Sequence, residues 1–208
     1  MLSFNTDEDF SQNYKFLIGS ILPRPIAVVS TRNENGTHNL APFSFFNGFS
    51  AKPMIVGFAP IRRPNTGEKK DTLINIEREK EFVINFVTEK NADLINLAAT
   101  ELPYGESEYQ FTGLNFLESE KIKAVRLVES PIHFECKLRD LISYGDTPGA
   151  GTLITGEVIK VHVAEEVFEE GRIITNKWNP MGRGAGNDWF KTDSIIEKTR
   201  LTKAQIQK

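Results

Sequence analysis

Two stretches of the chain carry residue types that could hold a ligand. The first is Asn39, Leu40, Ala41, Pro42, Phe43, Ser44, Phe45, Phe46 and Asn47. It is apolar and aromatic, yet Asn39, Ala41, Ser44 and Asn47 interrupt it with small or polar groups. A strand wholly inside a core reads as a continuous apolar run or a clean alternation, and this segment is neither. Small residues would admit a flat ligand, and polar ones would aim hydrogen bonds at its edge. Pro42 removes one backbone donor and fixes φ. An edge strand with a proline beside a crowded aromatic core accounts for the same residues.

The second stretch is the polar loop of residues 61–72. Arg62, Arg63, Lys69 and Lys70 precede an expected helix start, and Thr66 and Thr72 add hydroxyls. Cations beside the free N–H groups of a helix start are what a phosphate monoester needs. A solvated basic loop followed by an ordinary cap is the other reading. The pair of stretches is more specific than either one. Neighbouring antiparallel strands lie about 4.8 Å apart, so adjacent segments of one sheet could serve a planar ring and a terminal phosphate roughly a nanometre away. Flavin mononucleotide (FMN) has that shape.

The elements that must position these groups are mostly strands. Residues 26–31 read as a β-rich strand, Asn33-Glu34-Asn35-Gly36 as a hairpin turn, and residues 37–40 as the start of the return strand. Residues 54–59 and 81–87 read as further strands, and residues 127–141 alternate clearly. There Ile132, Phe134, Cys136 and Leu138 share one face, and His133, Glu135, Lys137 and Arg139 share the other. Residues 152–163 form another long strand. Helices are expected over residues 14–22 for two turns, over 73–79 with Asp71 or Thr72 as N-cap, and over 91–101 with Leu94, Leu97 and Ala98 on one face. At least six strands with hairpin turns favour a closed antiparallel barrel over a doubly wound sheet.

Composition limits the function classes. The chain has 208 residues, 39% of them hydrophobic, and a net charge of −3 with acids and bases intermixed. One domain over 1–208 is expected, with no nucleic-acid-binding face. The single cysteine, Cys136, sits on the apolar face of its strand and fits a reducing compartment. No apolar run approaches the ~20 residues of a membrane span, and no secretory leader is visible, so a soluble cytoplasmic protein with no membrane contact is expected. Metal-ligand spacing, a Gly-x-Ser-x-Gly elbow and a P-loop are all missing from the sequence. Residues 178–190 form a glycine-rich loop between Trp178 and Trp189 that follows no βα unit. It reads either as a flap over a ligand across a dimer interface or as a surface loop pinned by two buried tryptophans.

Taken in order, Pro23-Arg24-Pro25-Ile26-Ala27-Val28-Val29-Ser30-Thr31, Gly36, the segment from Asn39 to Phe46, Lys70-Asp71-Thr72 and Phe82-Val83-Ile84-Asn85 resemble the flavin reductase-like family of FMN-binding split barrels, which includes flavoredoxin-type proteins. The match runs from about Pro23 to Gly156, and Pro180-Met181-Gly182-Arg183-Gly184 resembles the family's tail. The resemblance implies a mainly β fold with flanking α-helices. Its core is a six-stranded antiparallel Greek-key split β-barrel, in a homodimer with FMN near the subunit interface. The terminal extensions would pack on the barrel or on the partner.

By the same resemblance Asn39, Leu40, Ala41, Pro42, Phe43, Ser44 and Phe45 would line the flavin ring, with backbone N–H groups near Ala41 and Ser44 at its polar edge. Arg63, Lys70, Asp71 and Thr72 would hold the phosphate and ribityl end, and Thr31 and Arg24 would border the cleft. Thr31 also reads as a plain strand end and Arg24 as a solvated turn. Family members that reduce free flavin often carry Gly-Asp-His in the turn before the last long strand. This chain has Gly145-Asp146-Thr147-Pro148, and His133 and His162 read as surface residues. The expectation is therefore an FMN-dependent oxidoreductase or electron-transfer protein. Its electrons would come from a redox partner protein or NAD(P)H, and no side chain is assigned as a catalytic acid. An NAD(P)H:flavin reductase with exchangeable FMN and a flavin- or heme-binding carrier without turnover are the alternatives.

Overall fold

The computed structural model describes residues 1–6 and 10–206. Helix α1 (Phe10–Ser20) buries none of its residues. It starts earlier than the expected two turns, and Pro23 and Pro25 follow its end. The short strand β1 (Arg24–Pro25) leads into β2 (Ala27–Arg32), whose first five residues are all buried. Gly36, at φ 87°, turns the chain back into β3 (His38–Phe43). β4 (Phe46–Ala51) and β5 (Met54–Phe58) form the next hairpin. After the polar loop come α2 (Asp71–Glu79), β6 (Glu81–Phe86), α3 (Ala92–Leu97) and α4 (Glu108–Thr112). The ribbon β7 (Phe116–Leu117) with β8 (Arg126–Leu127) precedes the long hairpin of β9 (Ile132–Ser143) and β10 (Thr152–Val163). A small hairpin, β11 (Phe168–Glu169) and β12 (Arg172–Ile173), and the turn α5 (Thr175–Trp178) lead to β13 (Met181–Arg183), β14 (Trp189–Lys191) and a last short helix, α6 (Lys203–Ile206).

The main sheet has seven strands in the order β3-β2-β6-β9-β10-β5-β4, and every pairing is antiparallel. Its two edge strands, β3 and β4, are separated in sequence only by Ser44 and Phe45. Two residues cannot span a flat sheet of that width, so the sheet must curl until its edges meet. The Ala59 N–H donates to the Phe45 carbonyl at 2.8 Å, which extends the β4–β5 ladder up to the crossing. Counted as one bent strand, β3 and β4 complete the expected six-stranded split barrel, with the split where the chain exchanges β2 for β5 as its partner.

Both faces of the barrel wall are covered. Ala27 and Val29 point into an inner core with Phe43, Phe58, Phe82, Ile84, Cys136 and Ile154. Ile26 and Val28 point outward into a second core with Leu40, Val87, Ile95, Tyr109 and Leu127. That double burial is why β2 reads as an unbroken apolar run. Inside, Gly156 leaves room for an aromatic ring, because a Cβ there would stand 2.4 Å from Phe82 Cζ.

Three local expectations are corrected. α3 covers six residues rather than 91–101, and it buries Ile95 while Leu94 and Leu97 are exposed; Ala98, at its C-cap, is buried as expected. Asn91 sets this phase: its Oδ1 accepts the Thr88 N–H at 2.9 Å and its Nδ2 donates to the Glu129 carbonyl at 3.0 Å. α2 begins at Asp71 after an extended Lys70, with no side-chain cap, because the Asp71 and Thr72 side chains have other partners. His133 is buried and Glu135 fully so, although their face of β9 reads as polar. Residues 114–127 fold over that face, and Glu135 accepts N–H bonds from Glu120 (2.9 Å) and Lys121 (2.8 Å) and one from His162 Nε2 (2.7 Å). Burial lowers the His133 pKa to about 4, and its Nε2 donates to the Leu127 carbonyl at 2.8 Å.

Candidate functional site

The outer edge of β3 faces the loop before α2, and between them lies an open cleft with a cavity volume of about 80 Å³. Its β3 wall is Asn39, Ala41 and Pro42, and its opposite wall is Arg63, Lys70, Asp71 and Thr72. Residues 98–102, which follow α3, and Glu108 close the remaining side. One buried bond sets the spacing of the walls: Asn39 Nδ2 donates to Thr72 Oγ1 at 3.0 Å. The two stretches singled out in the sequence thus meet in the folded chain.

The backbone edge is partly spoken for. The Leu40 N–H donates to Glu108 Oε2 at 2.7 Å. Because N–H directions alternate along a strand, Asn39 and Ala41 turn theirs toward β2. Pro42 has none to give, so the outward edge between Leu40 and Ser44 presents carbonyl oxygens.

The cations divide into two groups. Arg62 donates to the Gly67 carbonyl at 2.8 Å, and Lys69 pairs with Glu77 at 2.7 Å, and neither lines the cleft. Arg63 does, held by Asp71 at 3.2 Å and by Glu101. Lys70 also lines it, and among the described residues no carboxylate lies within ion-pair distance of its ammonium. Burial and, after it, the neighbouring Arg63 push the Lys70 pKa below its ordinary value. A bound anion would relieve both effects.

Glu108 is a third charged group that the sequence did not single out. Burial raises its pKa to about 7, against the opposing pull of the Leu40 N–H. The folded state therefore keeps a proton that the unfolded chain gives up between about pH 4.3 and 7. Stability falls as pH rises through that window. Glu108→Gln keeps an acceptor for Leu40 and removes the titration, so thermal unfolding at pH 8 should show the variant more stable by up to about 3 kcal/mol. The difference should shrink towards zero near pH 4. A gap that is constant with pH would contradict this assignment.

A second recess continues from the first, and Pro42 and Ala99 line both. Its other walls are Tyr14, Ile26, Ser44, Asn96, Arg183 and Trp189. The row from Asn39 to Ser44 thus runs along both spaces, about 17 Å at strand spacing. The remaining predicted residues sit elsewhere. The Leu40 and Phe43 side chains belong to the outer and inner cores, and Phe45 is half-buried at the seam. Thr31 is buried outside the cleft lining, accepting a bond from Asn75 Nδ2 at 3.0 Å. Arg24 is 4% exposed and ties elements together. It donates to the carbonyls of Ile18 (2.7 Å), Ile21 (3.1 Å) and Gly184 (2.6 Å) and to Ser44 Oγ (3.3 Å).

The glycine-rich tail is neither a free loop nor pinned by buried tryptophans. Trp178 and Trp189 are half-buried, and β13 and β14 form a hairpin docked on β1. Gly182 permits the docking, since a Cβ there would lie 2.9 Å from Pro23 Cβ. Trp189, a candidate for stacking on a ligand, does line the second recess, whereas the sequence reading missed Arg183 as a cleft residue, along with Glu108 and residues 98–102. The small residues Ala98 and Ala99 beside Thr100 were the available signal for the last of these.

A family model described as the flavin reductase-like domain matches residues 18–180. An uncharacterised protein of Halalkalibacterium halodurans is 38% identical over 196 residues, covering 93% of each chain. The crystal structure of nitrilotriacetate monooxygenase component B from Bacillus cereus superposes with a TM-score of 0.90 at 37% identity, over 95% of this chain and 98% of that one. That of the 2-nitrobenzoate 2-nitroreductase of Pseudomonas fluorescens superposes with a TM-score of 0.84 at 30% identity, over 96% and 94%.

Proposed function

The chain belongs to the flavin reductase-like domain family, and on that premise we propose that it is an FMN-dependent oxidoreductase that takes electrons onto bound flavin and passes them to an acceptor. The observation that carries this reading is Lys70, a half-buried cation with no ion-pair partner among the described residues. It stands beside the uncapped start of a nine-residue helix, at one end of a cleft floored by β3. Those groups fit a phosphate monoester: the ammonium supplies charge, and the first-turn N–H groups and the Thr72 hydroxyl supply hydrogen bonds.

Asn39, Ala41, Pro42 and Ser44 would hold the ribityl chain and ring, and Arg63, kept in place by Asp71, would help hold the phosphate. The flavin, when bound, supplies the two-electron chemistry. The chain's part is to orient the ring on β3, to anchor its charged tail and to exclude water from the second recess. We take residues 1–208 as one domain that works as a homodimer inside the cell. Among the described residues, no helix is long and apolar enough to cross a membrane.

A second reading is an NAD(P)H:flavin reductase from which FMN departs after each turnover. The likeness to a monooxygenase component B favours it. The turn at Gly145-Asp146-Thr147-Pro148, which lacks histidine, favours the first reading. Anaerobic mixing of FMN-loaded protein with NADH, NADPH or a reduced electron carrier, followed by gel filtration, separates them. Bleached flavin that stays with the protein is the expected result. Flavin that leaves, with fast NADH oxidation when free FMN is added, supports the second reading. Flavin that stays oxidised under all three reductants would overturn both and leave a carrier.

A further inference from the structure

The second recess has an electrostatic feature that the phosphate end does not explain. In the β1–β13 ladder Arg24 and Arg183 are directly opposite one another. Like charges placed directly across a ladder destabilise it. Among the described residues neither arginine has a carboxylate within ion-pair distance. Burial and, after the opposing pull of Tyr14, the neighbouring Arg183 hold the Arg24 guanidinium below its ordinary pKa.

The hydrogen bonds of Arg24 go to three backbone carbonyls and the Ser44 hydroxyl, so its charge is solvated by dipoles and not neutralised. Arg183 donates one nitrogen to the Gly186 carbonyl at 2.6 Å, and its Cζ lies 5.2 Å from the centroid of the Trp189 ring. Arg183 lines the recess beside flat or apolar walls from Pro42, Ile26 and Tyr14, with Ser44 and Asn96 as its other polar groups.

We infer that the recess is a subsite for the negative charge of a planar aromatic ligand, with Arg183 as the residue that contacts the anion and Arg24 as the charge behind Ser44. A guanidinium held against an indole offers its fork edge to an anion and its exposed surface to an aromatic ring. Two sources share this chemistry: the ring of the bound flavin when it carries negative charge, and an aromatic carboxylate lying beside it as a substrate. The location at the ring end of the cleft rests on the FMN reading above. The charge requirement does not, and it can be tested without flavin.

The probes are benzoate and its neutral isostere benzamide, titrated calorimetrically into flavin-free protein. Benzoate should bind more tightly than benzamide by on the order of tenfold or more. Arg183→Gln should remove that preference, and Arg183→Lys, which keeps the charge but loses the planar fork, should retain part of it. Repeating the titration on FMN-loaded protein assigns the source. Continued benzoate binding marks a separate acid subsite, and competition with FMN marks the flavin's own ring. Equal affinity for benzoate and benzamide, or a preference unchanged in a folded Arg183→Gln protein, would overturn the inference. So would inorganic phosphate binding that is as tight as benzoate's and is lost equally in Arg183→Gln, because the aromatic walls would then play no part. FMN retention by Arg183→Gln is measured separately, so loss of the subsite is not confused with loss of the cofactor.

Discussion

Replacing Lys70 and Thr72 together by alanine should weaken FMN binding about 100-fold or more, with a much smaller loss for riboflavin, which has no phosphate. The two positions contribute differently. Among the described residues Lys70 has no acid partner within ion-pair distance, so its removal takes away an interaction made with the ligand. The Thr72 hydroxyl also accepts from Asn39 Nδ2 across the cleft, and both residues are buried. Thr72→Ala alone therefore leaves a buried amide unpaired and should cost about 1–3 kcal/mol of stability. Lys70→Ala alone should cost little stability and still lose on the order of tenfold in FMN affinity. Titrations with both flavins, beside denaturant unfolding of each variant, separate the two effects. If the double variant bound FMN as well as the parent while remaining folded, the phosphate would lie elsewhere.

Arg24→Met should destabilise the fold by about 3 kcal/mol, the scale of losing a charged donor from its hydrogen-bonded carbonyls. Arg24 joins the carbonyl end of α1, Ser44 at the barrel seam and Gly184 in the β13–β14 hairpin. No neighbouring residue can hold these three together in its place. Methionine keeps the volume and removes the donors, leaving the Gly184 carbonyl without its buried partner and the part-buried Ile18 and Ile21 carbonyls without theirs. Urea unfolding at fixed salt measures the loss, and limited proteolysis should find the tail beyond β12 cut first. A change within about 0.5 kcal/mol would mean that Arg24 is the solvated turn residue its place between two prolines suggests.

Arg24 also marks the limit of what local sequence could convey. Features with a local cause were readable: the Asn35-Gly36 turn, the apolar run of β2, the alternation of β9, and the helix after Lys70. The two stretches that form the cleft were readable as well, because each has an unusual composition in itself. The split barrel was inferred from strand number and the family's motifs, and the Ser44–Phe45 crossing supplies its physical reason.

Features that depend on distant segments were not legible. Alternation along β9 separates two faces but cannot say that residues 114–127 will cover the polar one, so the burial of His133 and Glu135 was missed. Glu108 reaches the Leu40 N–H across 68 positions of sequence and looks like any surface acid. α3 was placed out of phase because Leu94 and Leu97 have helical spacing, whereas the anchor at Asn91 turns Ile95 inward. The two tryptophans suggested pinned ends, but packing of Gly182 against Pro23 docks the tail.

The most direct test of the account is equilibrium uptake of FMN and of riboflavin by purified, flavin-free protein, followed by quenching of flavin fluorescence. The account predicts one FMN per chain, held at least about 100-fold more tightly than riboflavin because Lys70 and the start of α2 grip the phosphate. Failure to take up FMN, or equal affinity for the two flavins, would contradict it.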